Sequence, residues 1–321
     1  MPLVSVIIAS MNRPAALRSI VTRLLDISRG LPVDVVVADA SPKDHQLVLE
    51  DPRLTIVHLE SPGGVDADYD RAVRGASGTY CWFFTDDDAV DDDAVASVVT
   101  ALSGNNSETT SLLLVDARVV DPKGNLLQKS LLPPETARSF PPGTGVEAFA
   151  PFAPLLTFIG SVVIDRSLWM SRVSDDFVGS EFRHVGLILS APLPGRVLVL
   201  ERPRVTITYG LAHWETRALE VWTKKWPMLI RSCVERPDAW GLFYPESVVR
   251  QASFLVDYRA RGLLSHQNVQ LCFPFERSAI RSMTHATVAR LPRSVARVLS
   301  RIKAKRQSPE SRMLQFDLSR S

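Results

Sequence analysis

Short, continuous apolar runs alternate with helix-period stretches over the first third of the chain. Leu3–Ala9 is rich in β-branched residues and predicts a buried strand. Pro14 then opens a helix to about Asp26, with Leu17, Ile20, Val21, Leu24 and Leu25 on one face. Val33–Ala38 predicts a second buried strand ending at Asp39, and Leu54–Leu59 a third. Asp66 to Ala76 reads as a helix, Thr79–Phe84 as a fourth strand, and Asp91–Leu102 as a helix capped by Asp91. Strands that are apolar throughout are covered on both faces. The predicted class is therefore α/β, a mostly parallel sheet with helices on both faces. Ligands of such sheets collect beyond the carboxyl ends of the strands. Three polar sets fall there: Ser10-Met11-Asn12-Arg13, Asp39-Ala40-Ser41 and Asp86-Asp87-Asp88.

Further along, Ser111–Val120 and the turn Asp121-Pro122-Lys123-Gly124-Asn125 predict a strand and hairpin, and Leu131–Gly145 a loop. Ala148–Ile164 is uncharged, but it is short of the roughly 20 residues of a membrane span. It also carries Pro151 and Pro154, so it reads as a buried loop and strand. A helix is expected near Gly179–Leu189, short strands at Val197–Leu200 and Val205–Tyr209, and helices from Thr216 onward. The polar last residues are expected to be disordered. The expected division is a first half over 1–120, a second over 121–215, a helical region over 216–306 and a tail over 307–321.

Charge changes this picture locally. The formal net charge is +2, so no global field argues for nucleic acid. Acids dominate from Asp34 to Asp93, and only bases occur from Ala286 to Arg306. There Arg290, Arg293, Arg297, Arg301, Lys303, Lys305 and Arg306 accompany Leu291, Val295, Val298, Leu299 and Ile302, which fall near one helical face. That pattern suits an anionic lipid surface, or equally a solvated helix packed on the domain. No aromatic side chain interleaves it, as nucleic-acid binding would favour. Cys81, Cys233 and Cys272 form neither a zinc pattern nor a disulfide set, and no basic leader precedes Leu3. A cytoplasmic protein, with peripheral contact to the inner membrane face, is the expectation.

The most informative stretch is Trp82-Phe83-Phe84-Thr85-Asp86-Asp87-Asp88. Three like charges at the end of a buried strand repel, and a divalent cation shared with a phosphate neutralises them. The alternative is a solvated turn that caps the following helix. Ser5 to Arg13, Val35 to Ser41, Ala76 to Tyr80 and this acidic run, in that order, resemble family 2 glycosyltransferases of the GT-A fold. Gly64 to Asp68 and Tyr80 to Asp88 resemble the abequosyltransferase-like bacterial branch in particular. The resemblance covers about residues 3–120 and thins beyond 150.

The resemblance implies transfer of a sugar from a nucleotide-sugar donor to a hydroxyl of a glycan or lipid-linked acceptor, in bacterial surface polysaccharide synthesis. It implies a nucleotide site of Ser10, Asn12, Arg13, Asp39, Ser41, Asp86 and Asp87, with Asp66 and Asp68 either part of it or simply offsetting the dipole of the helix they begin. It further implies Mg²⁺ or Mn²⁺ held by Asp88 first, with Asp86; His213, just after the strand end at Tyr209-Gly210, is a candidate to complete the shell. Met11 stands where an aromatic is usual, Ala38 where many members carry an acid, and Asp68 where the branch has an amide. The Glu-Asp pair that often supplies the catalytic base is missing, which leaves Asp175, Asp176 and Glu181 as candidates. His184 reads as a half-buried histidine, and Trp214 as either a sugar platform or core. Two rivals stay open: a HAD-type phosphatase built on Asp86, and a GT-A-like scaffold without a base.

Overall fold

Four parallel strands form where the apolar runs place them. The computed structural model describes residues 1–60, 63–104, 109–133, 137–211, 217–244, 246–275, 278–305 and 308–320. The chain divides into two units, residues 1–119 with 129–208, and residues 120–128 with 209–321. The strands are β1 (Val4–Ser10), β2 (Val33–Asp39), β3 (Leu54–His58), β4 (Tyr80–Thr85), β5 (Ala89–Val90), β6 (Thr110–Val120), β7 (Leu126–Gln128), β8 (Ser139–Phe140), β9 (Val162–Asp165) and β10 (Arg196–Thr208).

In the first unit the sheet runs β3-β2-β1-β4-β9-β6-β10-β5, with β8 beside β10. The pairs β3–β2, β2–β1 and β1–β4 are parallel, whereas β9 is antiparallel to both β4 and β6. The sheet is thus mixed, with its parallel part confined to the first four strands. Register matters most for function. Ser10 lies opposite Asp39, and Ala9 opposite Thr85, so the polar ends of β1, β2 and β4 are level.

Helices α1 (Pro14–Ile27), α2 (Val65–Gly75), α3 (Ala94–Leu102), α4 (Ala153–Leu156), α5 (Arg166–Arg172) and α6 (Arg183–Leu189) accompany this sheet. Helix α1 buries Leu17, Ile20, Val21, Leu24 and Leu25, the face that the spacing predicts. Trp82, Phe83 and Phe84 of β4 are all fully buried, because both faces of the strand are covered. Phe83 stacks on Trp169 at 4.8 Å and meets the edge of Tyr69 at 5.4 Å. Trp82 donates its indole N–H to the Gly160 carbonyl at 2.8 Å. Gly78 lets the chain enter β4 closely: a Cβ there would stand 2.5 Å from the Ser5 nitrogen.

The second unit is helical: α7 (Ala218–Glu220), α8 (Trp226–Cys233), α9 (Val248–Arg261), α10 (Ala279–Arg290), α11 (Arg293–Ala304) and α12 (Pro309–Arg320). Its core gathers Leu255, Tyr258, Leu264, Phe273, Val288 and Ala289.

Several expectations change. The tail is not disordered: α12 buries Leu314 and Asp317, and Asp317 pairs with Arg261 at 3.1 Å and accepts from the Tyr209 hydroxyl at 3.0 Å. A buried ion pair so placed fixes the helix, although its residues are mostly polar. Asp91 does not cap α3, because its carboxylate is taken by Arg118. The two short strands expected around Glu201 are one strand, β10, with Arg202 at φ +72° where the pattern breaks. The turn at 121–125 belongs to the helical unit.

Candidate active site

Ser10, at the end of β1, donates its hydroxyl to Asp86 Oδ2 at 2.6 Å. Arg13 Nη1 donates to Asp86 Oδ1 at 2.6 Å and stands 3.4 Å from Asp87 Oδ2. The β1 loop and the acidic run are therefore one cluster, as the level strand ends require. Thr85 organises the rest. Its hydroxyl donates to Asp87 Oδ1 at 2.6 Å, and its N–H donates to Asp88 Oδ2 at 2.8 Å.

Asp39 is fully buried, and its two oxygens accept from the Ser41 and Leu47 N–H groups at 3.0 and 2.9 Å. It shapes the loop after β2. Ser41 in turn accepts from the Asn12 N–H at 2.8 Å, where Asn12 has φ +61°. Asparagine tolerates that left-handed backbone better than most residues. Asp68 accepts from Gly63 N–H at 3.1 Å and from Arg71 at 3.3 Å, a local contact at the start of α2.

Asp66 does something the sequence did not suggest. Its carboxylate accepts from Glu181 N–H at 2.9 Å and from Arg183 N–H at 3.1 Å. Both oxygens of a residue expected at the nucleotide are thus engaged by the loop before α6. That loop carries Glu181, which has φ +68° and is half-buried. Three residues on from Asp66, Tyr69 donates its hydroxyl to the Phe84 carbonyl at 2.9 Å. Helix α2 therefore links the Glu181 loop to the strand that ends in the acids. Tyr69 and Thr85 were missed from the sequence, since each acts by bonding the end of β4 or its acids, a placement that no local pattern marks.

Asp175 and Asp176 lie exposed on a single helical turn, with Asp176 accepting from the Ser174 hydroxyl at 2.9 Å. No described bond ties either to Asp66 or the acidic run. His184 is buried and its Nε2 lies 2.7 Å from the Leu156 carbonyl. Burial lowers its pKa to about 4, so it is a neutral donor holding α4. His213 and Trp214 lie outside the described residues. The acidic run follows the fourth strand in chain order.

Burial, together with the charges of Asp87 and Asp86, raises the Asp88 pKa to about 7 despite the N–H and hydroxyl of Thr85. An oxygen-only donor set under such repulsion suits a hard divalent cation. Among the described residues no three His, Cys, Asp or Glu side chains form a metal cage. A nucleotide-bound Mg²⁺ needs only one or two carboxylates, because the phosphates supply other ligands. The residues present fit that kind of site.

The raised pKa has a sign that can be tested. Stability from protonated Asp88 is fully present below its unfolded value of about 4 and is lost as pH rises through about 7. A divalent cation stabilises the ionised form. Mn²⁺ should therefore raise the melting temperature more at pH 8 than at pH 6, and Asp88→Asn should remove that difference.

The sheet order and the helices beside it define an α/β protein with a GT-A-like fold. Residues 5–144 match the model of glycosyl transferase family 2. No curated protein matches the sequence. Among solved structures, TarS 1–349 from S. aureus is 14% identical, with 90% of each chain covered at a TM-score of 0.54. The same TarS fragment in complex with UDP-GlcNAc is 14% identical, covering 99% of this chain and 89% of that one at 0.52. The mannosyltransferase PcManGT from Pyrobaculum calidifontis, in complex with GDP-Man and Mn²⁺, is 14% identical, covering 99% and 85% at 0.52. At this identity the likeness concerns the fold.

Proposed function

We propose that this protein transfers a hexosyl or deoxyhexosyl group from a nucleotide-sugar donor to a hydroxyl of a glycan or lipid-linked acceptor. The single observation that carries the reading is the cluster of Ser10, Arg13, Asp86, Asp87 and Asp88 at level strand ends. The donor complexes of the UDP-GlcNAc and GDP-Man neighbours support it, as does the matched family. The likeness of Gly64–Asp68 and Tyr80–Asp88 to the abequosyltransferase-like branch motivates a role in bacterial surface polysaccharide synthesis.

Ser10, Asn12, Arg13 and Ser41 form the wall that receives the nucleotide, and Asp39, buried beneath it, holds the loop that carries Ser41. Asp88, with Asp86, would hold Mg²⁺ or Mn²⁺, and the ion would offset the charge that the departing diphosphate gains. Arg13, already shared between Asp86 and Asp87, brings a positive charge to the same place. Glu181 takes the proton from the acceptor hydroxyl, and Asp66 holds the backbone that carries it. Because Asp175 and Asp176 are exposed on their turn, we assign them no step.

The test is release of nucleoside diphosphate from a panel of UDP-, GDP-, CDP- and dTDP-sugars, with Mn²⁺ and with a chelator. The reading expects release from one nucleotide class, abolished by the chelator. Absence of turnover of every donor, with candidate lipid-linked and glycan acceptors present, would contradict it.

A further inference from the structure

Helix α11 is packed with its small residues inward. Ala296, Ser300 and Ala304, spaced four apart, are buried, and Ser300 donates to Asp257 of α9 at 2.8 Å. The larger apolar residues face the other way: Val295, Val298, Leu299 and Ile302 keep 44%, 54%, 46% and 59% of their surface exposed. Their i, i+3, i+4, i+7 spacing makes one continuous stripe. A helix whose only apolar contact were the protein core would show the reverse order. Helix α10 repeats the feature, with Ile280 and Met283 at 71% and 70% exposed.

The charges around this stripe have one sign. Arg290, Arg301 and Lys305 are exposed, and residues 286–305 contain no acid. Asp257 of α9, which meets this helix, is already taken by Ser300 and Lys303. Beside the stripe a shallow groove of about 400 Å³ is lined by Arg301, Lys305, Gln315 and Leu318. Apolar side chains that enter an acyl boundary, flanked by arginine and lysine at headgroup level, are the chemistry of an interfacial helix. No helix among the described residues is long and apolar enough to cross a membrane.

We propose that α11 docks the protein on an anionic lipid surface, with Val295, Val298, Leu299 and Ile302 inserted and Arg290, Arg301 and Lys305 on the phosphates. Lipid binding reads out without any glycosyl transfer, so this proposal and the proposed function fail separately. The test is co-sedimentation of the full chain with vesicles of equimolar phosphatidylglycerol and phosphatidylcholine, and with phosphatidylcholine alone. Binding is expected only to the anionic vesicles and should weaken with salt. Arg301→Gln and Lys305→Gln should each weaken it about fivefold, and Val298→Asp with Leu299→Asp should abolish it. All four positions are exposed, so melting temperatures should stay at the wild-type value. No sedimentation, equal binding to both vesicles, or binding unaffected by Val298→Asp with Leu299→Asp would overturn the proposal. A dimer in light scattering that these two substitutions dissociate, without vesicle binding, would assign the stripe to a second copy instead.

Discussion

Glu181→Gln is expected to lower kcat by about 10²–10⁴-fold, the usual contribution of a positioned general base. The donor should still bind with a Kd within about twofold of wild type, because the base acts on the acceptor. Glutamine keeps the size of the side chain and removes its ability to take a proton. Among the described hydrogen bonds of the three candidate carboxylates, that of Glu181 fastens it to an element that also contacts the end of β4, through Asp66 and then Tyr69. Its φ of +68° is a backbone that glutamate rarely adopts, held by the hydrogen bond from its own N–H to Asp66. Strained residues of this kind cluster at functional sites when the surroundings fix them. Single-turnover rates and donor titration on Glu181→Gln and Asp176→Asn check the assignment. A large loss of kcat in Asp176→Asn, with Glu181→Gln at wild-type rate, would move the base to the exposed turn.

The second large effect is expected at Asp66, which we treat as a positioning residue. Asp66→Ala deprives the Glu181 and Arg183 N–H groups of their acceptor. Leaving a buried donor unpaired costs about 1–3 kcal/mol. Asp66→Ala should therefore lower the unfolding free energy by about 2 kcal/mol or more. The same change frees the loop that carries Glu181, and a displacement of about 1 Å at a reacting group can cost about 100-fold in rate. Asp66→Asn keeps one acceptor oxygen and should fall between wild type and alanine in both respects. A purely structural role would lower stability and leave kcat of the folded fraction unchanged. A nucleotide-contact role would instead raise the donor Kd. The kcat-against-Kd split, measured at a temperature where all three proteins are folded, separates these readings.

Three of the four parallel strands, β1, β2 and β4, were legible because they are covered on both faces, whereas the edge strand β3 is partly exposed. Val4–Ser10, Val33–Asp39 and Tyr80–Thr85 consist of near-continuous apolar runs, and such runs end where the chain meets solvent. Once the strands are parallel and in register, the placement of Ser10, Asp39 and the acids on one edge follows. The contact of Glu181 with Asp66 was not legible, since 115 residues separate the two and no local pattern pairs them. The tail was misread because composition sees polar residues. It does not see that Asp317 meets Arg261 and Tyr209. Asp91 looked like a cap from its position before an apolar helix, but Arg118 on β6 competes for the same carboxylate. In each case a long-range partner overrode a local preference. Strand β10 reads as two strands because Arg202 and Pro203 interrupt its pattern, whereas it runs on from its pairing with β8 at Val197 and Leu198 to its pairing with β5 at Val205 and Thr206.

The central claim is that the acids after β4 hold the diphosphate of a nucleotide sugar through a divalent cation. It is tested most directly by melting temperature with UDP-, GDP-, CDP- and dTDP-sugars, each with and without Mn²⁺, on the wild type and on Asp88→Asn. The account predicts stabilisation by one nucleotide class that requires Mn²⁺ in the wild type and is lost in Asp88→Asn. Stabilisation by none of the donors, or an identical response in Asp88→Asn, would contradict it.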